Sequence, residues 1–462
     1  MPSLSRFLSL EPFEQHPGRV FAAIGLVFAV AYVTALTAFP RGHGRVLDGD
    51  AIQYYAYLRS IVVDGDVDFT NDYRLLYTPT GDTSADNVWL TTKTATGRPP
   101  NMMSVGPALL WSPAFLLAYG IVALARVFGA ATPLDGMALP FLLSVGLAGI
   151  GYATLGAYLC YRSCRLIVPG APAFWGALVA WLATPAVYYS VISPAYSHAT
   201  SLFAGALFTY VWLKTRDGET VARYVRLGVL GGIVTLVRWQ EVVILVLPAL
   251  ELVGLVRKNR ISLVSAAGRA GVLALGVLIV IAPQLWAWRA IFGQWLVVPQ
   301  GGGFMQWGSP ALLSVLFSLR HGLFTWTPAV LLAVLGLPAL VRRDSQLGWG
   351  AIVVLLLTIY INASVNDWWG GEAFGGRRFV GLTIFFALGL STIFAGSFWQ
   401  RRLAWLRWTA VALIVYNLLF LVQYQLFMRG FRDLVPYPTT LEQVFFDRLA
   451  LPWRLIHAWM GN

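Results

Sequence analysis

The chain has 462 residues, of which 58% are apolar and 12% charged, whereas a soluble domain carries about 25% charged and about 45–50% apolar residues. That is more apolar side chain than a water-facing globule can bury, which excludes a soluble enzyme and points to an all-α polytopic membrane protein. The 33 Lys and Arg against 21 Asp and Glu give a net charge of +12; the excess falls in short loops between apolar runs, so it reports topology and argues against a nucleic-acid partner.

In chain order, the first span is expected over 19–39. Glu11 and Glu14 precede it and no small-residue cleavage site follows, so it reads as a retained helix behind a cytoplasmic N-terminus, 1–18. A long outer loop, 40–136, comes next. It opens with Leu47-Asp48-Gly49-Asp50, and the run to Val63 reads as a helix that Asp48 can N-cap and Gly65 can terminate. On that helix Asp50, Gln53, Tyr54 and Tyr57 fall at i, i+3, i+4 and i+7, which gathers a carboxylate, an amide and two phenols on one face. The acids from Asp64 to Asp72 invite a calcium reading, but Phe69 and Leu75 stand where an EF-hand needs Gly and Glu; a solvated acidic turn is expected, with no metal cofactor required and a divalent cation unsupported. The apolar stretch 105–126 follows Pro99-Pro100 and contains Pro107 and Pro113. As a span it would invert everything after it, so it is assigned as an interfacial or re-entrant helix on the outer face.

Further spans are expected over 137–161, 173–190, 197–215, 270–291, 323–341, 347–365, 378–397 and 404–427. Cys160 and Cys164, on one of these runs, read as small buried helix residues. The stretch 225–256 is too long for one helix and is interrupted by Arg238-Trp239-Gln240-Glu241, so it reads as two short helices with that tetrad at the far turn. Basic clusters at 162–172, 214–226, 257–269, 342–343 and 401–407 are placed in the cytoplasm. The result is eleven spans, N-terminus inside, with outer loops at 292–322 and 366–377 and an outer tail at 428–462. The Gly301-Gly302-Gly303 run suits a gating segment or a plain turn.

Three features coincide: an acid opening a first-loop helix (Asp50-x-x-x-Tyr54), a Pro-Pro before a second non-spanning helix, and a late outer loop Trp368-Trp369-Gly370-Gly371-Glu372-Ala373-Phe374-Gly375-Gly376-Arg377-Arg378. Together they resemble the GT-C superfamily, integral-membrane glycosyltransferases that use polyprenyl-phosphate-linked sugars, in particular the aminoarabinose transferase and protein O-mannosyltransferase group. The resemblance implies a GT-C fold as one membrane-embedded domain in a bacterial inner membrane, a site facing the periplasm, and inverting transfer with an acidic residue at position 50. The donor would be a polyprenyl-phosphate sugar and the acceptor a lipid, polysaccharide or protein hydroxyl; membrane lipids would be the surrounding partners.

The residues read the same way. Sugar transfer needs a base beside the incoming hydroxyl and cations for the departing phosphate. Asp50 is the first choice of base and Asp48 the second. Each has a structural alternative, a first-turn acid favoured by the helix dipole for Asp50 and an N-cap for Asp48. For the phosphate, Arg377, Arg378 and Arg238 are the candidates because a guanidinium binds two oxygens at once; snorkelling and pairing of Arg238 with Glu241 are the alternatives. The Ser193-to-His198 turn carries no acid where related enzymes often have one, leaving His198 and Tyr196 as candidate ligands. His321 beside Arg320 is a weaker one. Gln53, Tyr54, Tyr57, Trp368, Trp369, Glu372 and Glu241 complete the substrate-binding set. A ligase or polymerase with a diphosphate-linked donor, and a lipid or sugar transporter or flippase, remain open; the latter should show polar residues near the bilayer midplane.

Overall fold

The structure, a computed structural model, describes residues 10–38, 46–77, 87–218, 220–429 and 438–460. Parts of the expected first loop and tail, at 39–45, 78–86 and 430–437, lie outside the described residues. Among the described residues the chain is helical, and its one β feature is an isolated bridge between Met305 and Val365.

The first long helix, α1 (Pro17–Ala38), leads to the loop helices α2 (Asp50–Arg59) and α3 (Thr70–Tyr77), then to α4 (Gly106–Val127) and α5 (Leu139–Ile167). There follow α6 (Ala171–Leu182), α7 (Ala186–Val191), α8 (Ser197–Thr215), α9 (Val221–Val237), α10 (Val246–Arg257), α11 (Leu263–Phe292), α12 (Ser345–Ala363), α13 (Thr383–Phe394), α14 (Leu403–Gln423) and a tail helix, α15 (Asp447–Met460). Among the described residues, eight helices are long and apolar enough to cross a membrane: α1, α4, α5, Trp239–Arg257, α11, α12, Arg377–Phe394 and Leu403–Leu426. The chain is thus a multi-pass helical membrane protein. The runs expected at 173–190 and 323–341 are helical but broken. The first divides at Pro185, and the second restarts with Pro328 at the start of Pro328–Leu335 and Pro338 at the start of Leu337–Arg343, where a missing amide costs nothing.

The long helices pack in both antiparallel and parallel pairs. Phe21 meets Tyr158 and Tyr161, and the ring of Tyr32 packs on Gly146, so α1 and α5 run antiparallel. Gly149 abuts Pro194 while Gly156 abuts Phe203, so α5 and α8 run parallel. Gly228 of α9 and Gly276 of α11 bring two backbones into direct contact, the small-residue packing that lipid-embedded helices use. At the end of the bundle carrying the basic loops, Arg223 holds Glu251 through both nitrogens of its fork (2.5 and 2.8 Å), and Trp212 donates to the same carboxylate at 2.6 Å. On that end too, Arg407 of α14 binds Glu11 and Glu14.

The helix α4 begins where Ser104 donates to the Val237 carbonyl and the Val105 amide donates to Gln284. It runs antiparallel to α5, with Tyr152 donating to the Leu110 carbonyl and Phe115 against Phe141. The turn behind it returns to α2, where the Gly136 carbonyl accepts from Tyr55 and the Asp135 carbonyl from Arg59. Its start and that returning turn therefore lie on the α2 side of the bundle, while Leu116, Leu117, Ile121 and Leu124 are bared.

The acidic turn is solvated in part, as expected: Asp64 and Asp66 are exposed, and Asp72 departs from the expectation by being buried. Asp64 (2.6 Å) and the fully buried Asp72 (2.9 Å) share the Arg59 guanidinium, Asp66 accepts from Ser60, and Asp68 accepts from Thr70. The buried Arg59 draws Asp72 into the interior, while the other acids hold the loop through bonds nearer the surface. Burial pushes the Asp72 carboxyl up to about 7, outweighing Arg59, and its second oxygen has no hydrogen-bond partner.

Candidate functional site

The site is built on α2. The helix starts at Asp50, with Gly49 at the N-cap position in a positive-φ conformation (51°) and no side-chain cap. This corrects the expected Asp48 cap: the turn at Gly49 leaves Asp48 one residue outside, contributing its carbonyl to the Ala51 amide. A left-handed φ favours glycine, and here the Tyr196 hydroxyl fills the space that a Cβ on residue 49 would take. Gly65, also at positive φ (75°), ends the helical run after a π turn over Ser60–Asp64, as expected. Every residue of α2 after Asp50 is buried, and the Asp50 side chain is 25% exposed.

The partner of Asp50 comes from the late loop. Arg377 opens the 3-10 turn Arg377–Leu382 behind Gly370, Gly371 and Gly375, all at positive φ. Its Nη1 donates to Asp50 Oδ2 at 2.8 Å, and its guanidinium lies 6.0 Å from the centre of the Tyr196 ring. The neighbouring Arg378 turns away and binds the carboxylate (2.6 Å) and carbonyl (2.9 Å) of Asp367. Of the two arginines only Arg377 meets Asp50.

A second junction lies one helical turn along. Ser197 Oγ accepts from the Tyr54 hydroxyl at 2.8 Å and from Arg238 Nη1 at 2.9 Å. Arg238 also lies 3.5 Å from Glu241, whose carboxylate accepts from Ser201. The structural pairing of Arg238 with Glu241 is therefore present, and Arg238 is held towards α2 as well. The expected hairpin with the polar tetrad at its turn is seen too: α9 ends at Val237, Trp239–Leu245 is a 3-10 turn, and α10 follows.

The other named residues are placed as follows. Gln53 is a lock rather than a free amide: its side-chain oxygen accepts from the Met102 amide (2.8 Å) and its carbonyl from Asn101 (2.9 Å). Tyr57 is fully buried, with its hydroxyl towards the Gln284 amide. His198 is 1% exposed, wedged against Tyr189 at 4.3 Å and Tyr196 at 6.3 Å, with Nδ1 unpartnered and Arg238, Arg377 and Arg378 within electrostatic range. Trp368 and Trp369 pack edge to face, Arg320 lies over Trp369 at 4.1 Å, and His321 Nδ1 is 2.8 Å from the Trp369 carbonyl. Glu372 is exposed.

Ser197, Ser201, Asp367 and Tyr189 join the site without having been singled out as members. The one signal was position: Ser197 begins α8, where a serine reads as a local helix-start residue. The three guanidiniums each face a carboxylate, and Asp50 is the one carboxylate of the three on the first-loop helix. Among the described residues, no three His, Cys, Asp or Glu side chains converge to hold a metal ion. The arrangement gathers a partly exposed carboxylate, hydrogen-bonding phenols and guanidinium forks around the start of α2, a set suited to accepting a proton and binding a phosphate.

No protein-family model matches the chain, and no curated protein matches it.

Proposed function

We propose that the protein is a membrane glycosyltransferase of the GT-C type, moving a sugar from a polyprenyl-phosphate carrier to an extracytoplasmic hydroxyl. In this reading eleven helical passes leave the N-terminus inside and α2 outside, in a bacterial inner membrane, with α4 lying at the outer face. Asp50 takes the proton of the acceptor hydroxyl as its oxygen attacks the anomeric carbon. The bond from that carbon to the phosphate oxygen breaks, and the polyprenyl phosphate leaves with the electron pair. Arg377, with Arg238 behind it, receives the charge that develops on the phosphate.

The observation that carries this reading is the pairing of Asp50 with Arg377, which puts a base and a phosphate-binding fork side by side from opposite ends of the chain. The test is incubation of the protein in liposomes with radiolabelled polyprenyl-phosphate sugars. New glycoside or released sugar that requires Arg377 supports transfer. Movement of label across the bilayer without any bond broken supports a transporter instead.

A further inference from the structure

Beside the Asp50–Arg377 pair lies a second cluster of polar groups. Seven residues at about 1.5 Å each put Tyr57 roughly 10 Å along α2 from Asp50 on the same face. The Tyr57 phenol and the Gln284 amide of α11 face each other. One turn further on α11 stands Trp288, whose ring stacks on Trp239 at 4.7 Å with planes 22° apart. Trp239 directly follows Arg238, so the cluster borders the second junction of the site.

Its chemistry is lopsided. Tyr57 Oη, Gln284 Nε2, Trp239 Nε1 and Trp288 Nε1 are all buried, and apart from the approach of Tyr57 and Gln284 to each other none of them has a hydrogen-bond partner. Tyr57 and Gln284 are 0% exposed and Trp288 5%. The amide oxygen of Gln284, by contrast, is taken by the Val105 amide at 2.6 Å, which fixes the side chain so that its NH2 faces the cluster. An indole N–H can only donate, and a buried donor left without an acceptor costs about 1–3 kcal/mol. The two indole N–H groups, with the hydroxyl hydrogen of Tyr57 and the second amide hydrogen of Gln284, are donors that a ligand rich in acceptors would satisfy.

We infer that Tyr57, Gln284, Trp239 and Trp288 form a carbohydrate subsite, taking the hydroxyl and ring oxygens of a sugar. None of the four residues is a cation, which disfavours a phosphate here. Aromatic rings beside amide and phenol donors suit a sugar, whose C–H faces are apolar and whose oxygens accept. The assignment rests on the proposed transfer reaction only for the role of the bound sugar, as the part of the substrate held beside the reacting centre.

The test uses the whole protein in nanodiscs and a panel of soluble methyl glycosides of common hexoses, pentoses and amino sugars, with binding read by saturation-transfer NMR. The wild type is expected to bind at least one of them. Trp239→Phe with Trp288→Phe keeps the stacked rings and removes both N–H donors, and should weaken that binding at least five-fold; Gln284→Met should do the same. Asp50→Asn should bind the glycoside as the wild type does even if transfer is lost, which separates this subsite from the proposed reaction. Binding that depends on Trp288 in a protein with no transferase activity would sink the reaction and keep the subsite. Absence of binding across the panel, or binding unchanged in the folded double-Phe and Gln284→Met variants, overturns the subsite and leaves the cluster occupied by water alone.

Discussion

Asp50 Oδ2 and Arg377 Nη1 lie 2.8 Å apart although 327 residues separate them in the chain. Neither is deeply buried, with side chains 25% and 14% exposed, so the pair stays open to a ligand. If Arg377 also receives the phosphate, its fork matters more than its charge. Arg377→Lys keeps the charge and loses bidentate binding, and should lower transfer about 10–100-fold, chiefly through KM for the donor. Steady-state kinetics at varied donor concentration check this; wild-type kinetics in the lysine variant would remove Arg377 from donor binding.

Ser197 joins α2 to Arg238 through a single oxygen. Ser197→Ala leaves the Tyr54 hydroxyl and one guanidinium nitrogen without that acceptor, and should destabilise the protein by about 1–3 kcal/mol. The loss should be non-additive with Tyr54→Phe, since either change removes the same bond. Thermal unfolding of the two single variants and the double variant in one detergent provides the comparison, and strict additivity would contradict the junction.

Gly49 combines a positive φ with the close approach of Tyr196. An alanine there meets backbone strain of about 1–3 kcal/mol and a clash with the phenol. Gly49→Ala should therefore lower the melting temperature and transfer together. Adding Tyr196→Phe, which removes the offending hydroxyl, should recover part of the stability. No recovery in the double variant would place the whole cost in the backbone.

Asp72 gives a pH dependence. Its carboxyl is raised by burial to about 7, above the ordinary unfolded value, so the folded state holds a proton that the unfolded state has lost. The stability this contributes is complete below the unfolded pKa and disappears as pH rises through about 7. Between about pH 6 and pH 8 the loss should be about 1.4 kcal/mol. Unfolding midpoints of wild type and Asp72→Asn across this range test it: the wild type should fall relative to the variant, and parallel curves would contradict the assignment.

The helices were legible because apolar runs of about 20 residues dominate the chain, and the face carrying Asp50 and Tyr54 followed from helical spacing alone. The hairpin around Arg238 was legible for a similar reason, since four polar residues interrupt an apolar run at its middle. What spacing does not carry is long-range partnership. Nothing local to Arg377 and Arg378 distinguishes them, yet one turns to Asp50 and the other to Asp367. The Asp48 cap failed because a turn residue, Gly49, took the N-cap position. Asp72 looked like part of a solvated run because the burial of Arg59, 13 residues earlier, is a tertiary fact. Ser197 was hidden by its own ordinariness at a helix start.

The most direct measurement is transfer from a polyprenyl-phosphate sugar by Asp50→Asn and Asp48→Asn, each purified and shown to be folded. The isosteric amide removes the base while keeping the shape of the side chain. With Asp50 as the base, Asp50→Asn should lose about 10²–10⁴-fold and Asp48→Asn should keep near wild-type turnover. Full activity in the first with loss in the second would move the base to Asp48 and contradict the role given to the Asp50–Arg377 pair.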